Sequence, residues 1–119
     1  MPSERVHRLV ASDSESTAQR LLEISPTWST VVSFYAGLHW VDAFLAHELD
    51  MHPQHHAQRS QFVQRSAVLL RIYSEYERLF TASLQARYHG IRFSRPEAAV
   101  LVTHDLSEIK TIVIATIGD

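Results

Sequence analysis

Between Pro26 and Pro53 the apolar residues Val31, Phe34, Leu38, Val41 and Leu45 recur at spacings of three and four, which is the repeat of one face of an α-helix. The prolines mark its ends. Ser25-Pro26 reads as a helix start, with serine as cap and proline at the first helical position. His52, the residue before Pro53, is pushed out of helical geometry. A central helix from Thr27 to about Leu49 is therefore predicted. A second set on it, Tyr35, His39 and Asp42, is also spaced by four and three and shares one face.

The rest of the chain follows the same pattern. Ser12 and Glu15 have capping-box spacing ahead of Ala18, Leu21 and Leu22, so a first helix is expected there, after a loose lead-in over residues 1–11. Helicity resumes after Pro53, with an irregularity near Ser66, and a long amphipathic helix runs from Ala67 to a stop at Gly90. Pro96 opens a last helix, in which Ala98, Leu101, Val102, Ile109, Ile112 and Val113 keep helical spacing. The run TIVIAT at residues 111–116 is β-branched and strand-like, but one such run among helices builds no sheet. The expected fold is all-α: a single domain over residues 12–119, folded as an antiparallel up-down bundle of four to five helices.

Composition excludes several classes. The chain has no cysteine, which removes disulfides, thiolate catalysis and cysteine zinc sites. No stretch approaches the roughly 18 apolar residues of a membrane helix, and the first residues lack the apolar run of a signal peptide. A cytoplasmic protein without membrane association is expected. The net charge is −2, so no broadly basic surface is present. Positive charge resides in ten arginines and the single Lys110, and arginine suits bidentate phosphate or carboxylate contacts.

Five of the eight histidines lie between His39 and His56, three of them in the turn HPQHHAQR at residues 52–59. Histidine titrates near neutrality and can ligate metal, shuttle protons or contact phosphate. A metal set here would draw on His52, His55 and His56, with His47 or His39 and an oxygen from Glu48 or Asp42. It loosely resembles the helical metal proteins of the DinB kind. Adjacent His55 and His56 diverge by about 100° on a helix, however, so no metal and no cofactor is expected. An acid-base arrangement fits better. His39 and Asp42 are one turn apart, as are His56 and Arg59, and on neighbouring helices the four can converge as catalytic residues. The alternative is a closed polar network that ties two helices together. In SLQARY, residues 83–88, Arg87 and Tyr88 can reach a phosphate or a base, although a basic residue there also complements the helix dipole. Tyr35, His52, Arg87 and Tyr88 are the candidate ligand-binding residues.

In this order the tract VVSFYAGLHWVDAFLA at 31–46, the turn HPQHHAQRS at 52–60 and SLQARY at 83–88 resemble the HEPN superfamily of small helical proteins from toxin–antitoxin and defence systems. His52, Pro53, His56 and Arg59 fill an HPxxHxxR pattern, and the resemblance spans about residues 12–115. It implies a homodimer, an RNA- or nucleotide-directed role, and a partner of the cognate antitoxin or nucleotidyltransferase type. In active members it implies a metal-independent ribonuclease whose site uses an arginine followed, after four to six intervening residues, by a histidine. No arginine here has that spacing; Arg95 and His104 come nearest, with eight residues between them. Two readings remain: a divergent ribonuclease site, or a non-catalytic dimeric interaction and regulatory module.

Overall fold

The computed structural model describes residues 2–118 and is helical throughout, with no strand among the described residues. Helix α1 spans Glu4–Ile24, α2 Pro26–Leu49, α3 His56–Arg65 and α4 Tyr73–Tyr88, the last entered through a 3-10 turn at Leu69–Ile72. The C-terminal rod is continuous: α5 at Arg95–Val100, a wide π-helical stretch at Leu101–Leu106, then α6 at Ser107–Ile117. The expected all-α bundle of four to five helices is the observed fold, with four rods and the short α3.

Residues across the interfaces give the directions. Ser29 donates its hydroxyl to the Ala18 carbonyl at 2.6 Å, and His7 lies against His39, so α1 and α2 are antiparallel. Val31 lies by Ala86, Gly37 by Leu79 and Asp42 near Tyr76, which sets α4 antiparallel to α2. Arg78 reaches Asp105 and Lys110 reaches Glu15, placing the C-terminal rod antiparallel to both α4 and α1. The core between the rods is Phe34, Trp40, Val41, Phe44, Leu45, Ile72, Tyr76, Leu79, Leu106, Ile109 and Val113.

Local chemistry explains the boundaries. Ser25 closes α1 and opens α2: its N–H donates to the Leu21 carbonyl at 2.7 Å, and its hydroxyl accepts from the Trp28 N–H at 3.3 Å. Asp50 ends α2 in the left-handed region, φ 50°, a conformation that aspartate tolerates. Gly90, at φ 65°, turns the chain after α4. Ser94 and Glu97 form a reciprocal capping box ahead of Pro96.

The N-terminal expectation is corrected. Residues 4–11 are not a loose lead-in but the first two turns of α1, and Ser12 with Glu15 lies inside the helix rather than at its start. Ser3 is the cap, accepting the Val6 N–H at 3.3 Å, and Glu4 pairs with Arg8 at 2.7 Å one turn on. His7 and Ala11 are buried, so this segment belongs to the packed domain.

Gly37 marks a close approach onto α2. A β-carbon there would lie 3.1 Å from Leu79 Cδ1 and 3.3 Å from Ile109 Cδ1. Gly37→Val therefore overpacks the contact of three rods and should cost about 1–3 kcal/mol. A urea denaturation midpoint indistinguishable from that of the parent would contradict the packing described.

Candidate functional site

Asp42 near the end of α2 and Arg59 in α3 join the two helices. Arg59 Nε donates to Asp42 Oδ1 at 2.7 Å and Nη2 to Oδ2 at 3.0 Å. Nη2 also donates to the Pro53 carbonyl at 3.3 Å. Their side chains are only 8% and 6% exposed, so the fork-to-fork geometry satisfies both charges inside the protein. Burial alone would lower the Arg59 pKa, but the hydrogen bonds and charge of Asp42 outweigh it and hold the guanidinium above its ordinary value. Truncation at Arg59 strands a buried carboxylate. Arg59→Ala should therefore lose about 3–5 kcal/mol, measured by chemical denaturation, with Arg59→Lys recovering only part because an ammonium cannot reproduce the fork.

His39 does not pair with Asp42 as helix spacing implied. Its Nδ1 lies 3.0 Å from Nδ1 of His7 on α1, with ring centroids 5.2 Å apart. His7, His39 and Asp42 offer ligand atoms that all lie within 4.8 Å of one another. The sequence reading missed His7 because it fell in the supposed lead-in; Ser3 as a cap, with Glu4 and Arg8 one turn apart, was the available signal.

His56 occupies the other side of the Asp42–Arg59 pair. Its ring stacks on Phe80 with centroids 3.3 Å apart, Tyr76 lies parallel at 5.9 Å, and Nε2 is 3.9 Å from Glu77. The four expected catalytic residues are thus neighbours, but His39 faces α1 and His56 faces α4, with the closed ion pair between them. Burial pushes the Tyr76 phenol well above its ordinary range.

Three of the four candidate ligand-binding residues do converge. Arg87 Nη1 donates to the Tyr35 hydroxyl at 3.2 Å and to the Tyr88 hydroxyl at 3.4 Å, and its guanidinium lies 5.6 Å and 4.9 Å from the two ring centroids. Nε donates to the Ser83 hydroxyl at 3.0 Å. The fourth, His52, lies in the loop after α2. Its Nε2 is 3.1 Å from Asp50 Oδ1, while its Nδ1 is buried with no hydrogen-bond partner among the described residues. The remaining turn histidines scatter: His47 sits beside Glu48, and His55 is exposed at the start of α3. No protein-family model, curated protein or solved structure matches this chain.

Burial lowers the pKa of His7, His39 and His56 from 6.5, with Asp42 opposing at the first two and Glu77 at the third. The folded protein then binds fewer protons than the unfolded chain between those depressed values and 6.5, so stability is lost as pH falls through that interval. His104 acts oppositely, raised by its hydrogen bond to Asp105, but it is solvent-exposed and screened. The thermal midpoint should fall on acidification from about pH 7.5 to about pH 5.5, and less steeply in His56→Gln. Equal slopes in the two proteins would remove His56 from this account.

Proposed function

We propose that this protein is an HEPN-like module with an RNA- or nucleotide-directed role of the toxin–antitoxin or defence type, and that it acts by binding. The observation that carries the reading is Arg87 held between the rings of Tyr35 and Tyr88. Nη2 of Arg87 makes no hydrogen bond among the described residues and is available to a phosphate, while exposed tyrosine faces accept stacked bases. Cleavage by His39, Asp42, His56 and Arg59 has weaker support, because Arg59 commits Nε and Nη2 to Asp42 and the Pro53 carbonyl. The guanidinium is thus tied down rather than presented to a phosphate, and Asp42 makes no hydrogen bond to His39 or His56 among the described residues.

The test is fluorescence anisotropy with a labelled single-stranded oligoribonucleotide at low and moderate salt. Binding should weaken with salt and be reduced by Arg87→Ala. Tyr88→Ala should cost about 1–3 kcal/mol if it stacks a base, and the oligonucleotide should be recovered intact. Absence of binding at low salt, or binding indifferent to both substitutions, overturns the proposal.

A second reading, a homodimeric or heteromeric interaction module, is favoured by exposed Trp28, Tyr88 and Ile91, which are 57%, 70% and 45% exposed. Trp28 and Ile91 line one shallow cavity with Ala86 and Arg92, beside the same end of α4. Sedimentation velocity across a concentration series, with Trp28→Ser as the comparison, tests that reading.

A further inference from the structure

At the end of the bundle where α1 begins and α2 finishes, two imidazoles and a carboxylate meet. Without a metal, the contact of His7 and His39 at 3.0 Å is one N–H donating to one ring lone pair. Three further observations exceed what that hydrogen bond requires. The first is the donor set: two nitrogens and one anionic oxygen from two rigid helices, a combination that suits zinc-class ions. Zinc–nitrogen bonds of about 2.0–2.1 Å place two ligand nitrogens about 3.3 Å apart on a tetrahedral ion. The two nitrogens need to separate by only a few tenths of an ångström, while the rings turn to aim both lone pairs at the ion and the Asp42 oxygen, within 4.8 Å of them, closes on it.

The second is outer support. Arg59 donates to both oxygens of Asp42, which fixes the carboxylate and leaves further lone pairs on it, as outer-shell partners do for metal ligands. The third is an opening. A cavity of about 440 Å³ is lined by Pro2, His7, Asp42, His52, Pro53 and Gln54, and His52 Nδ1 is buried without a partner among the described residues. An unsatisfied buried nitrogen is costly, and His52 lines the same cavity as two of the three candidate ligands.

We propose that His7, His39 and Asp42 bind one divalent transition-metal ion of the zinc class, with a fourth position open to the cavity that His52 lines. Three protein ligands and one open position is the arrangement of reactive rather than purely structural zinc sites. The proposal is independent of the Arg87 surface and of RNA binding. Burial disfavours the protonated form of both imidazoles, and the neutral form is the one that ligates metal.

The experiment uses the full chain freed of any affinity tag and stripped with a chelator. Co²⁺ titration is followed by ligand-field absorption, and Zn²⁺ affinity is measured against a chromophoric chelator. One equivalent should bind, give a tetrahedral-type cobalt band and raise the thermal midpoint. His7→Ala should weaken Zn²⁺ by more than about 100-fold, beyond the cost of losing an outer-shell partner, while His47→Ala leaves affinity unchanged. If His7→Ala does not fold, proton NMR of the Co²⁺-loaded parent decides. At least two strongly shifted exchangeable imidazole resonances support the site, and none overturns it. Failure to take up one equivalent, or uptake unaltered in a folded His7→Ala protein, also overturns it.

Discussion

The buried pair of Asp42 and Arg59 is the contact on which the histidine-bearing end of the bundle depends. Desolvating two charges is expensive and is repaid only when nearly every donor and acceptor is used. That demand makes the pair a positioning device. α3 can sit against α2 in few other ways, because a shift that loosened the fork would leave an unpaired charge inside the protein. The third bond, to the Pro53 carbonyl, extends the constraint to the loop after α2. Through it His52 is brought to the cavity, while His56 is placed on α4, where Phe80 covers its ring.

The face of α2 that carries Tyr35, His39 and Asp42 looks onto two neighbours. His39 meets α1 and Tyr35 meets α4, so the face is flanked by those two rods. Tyr35 and Asp42 are seven residues, or about 10 Å, apart along the axis. The exposed arginine–tyrosine group and the recessed histidine–carboxylate group therefore lie on one side of the molecule but differ in chemistry. One is open and cationic, suited to a phosphate or a base; the other is enclosed, with an anion beside neutral imidazoles.

The bundle was largely legible in the sequence because its punctuation is local. Ser25-Pro26, Asp50 before His52-Pro53, and Ser94 before Pro96 act through backbone geometry and caps that need no tertiary context. The start of α1 was not legible in the same way, since Val6, Leu9 and Val10 are exposed and the buried face at that end is His7 and Ala11. At the site, spacing identified which residues share a face, but not what each one meets. His39–Asp42 and His56–Arg59 were read as pairs one turn apart. The fold instead joins Asp42 to Arg59 and gives each histidine a different neighbour, because two opposite charges in a dry interior satisfy each other better than either satisfies a neutral imidazole. That preference becomes visible only when the facing helix is known.

Ser25 carries a consequence for how this chain can vary in length. It alone separates two helices of 21 and 24 residues, so α1 and α2 are locked in rotational phase as well as direction. One residue added to or removed from either helix between His7 and His39 would turn the segment beyond it by about 100° and slide it by about 1.5 Å. His7 would then point away from His39, and the buried apolar residues of the turned segment would leave the core with it. Insertions after Gly90, where the chain already loops, carry no such penalty for this contact. Among descendants of this sequence, length should drift in the connections and stay fixed across the α1–α2 junction.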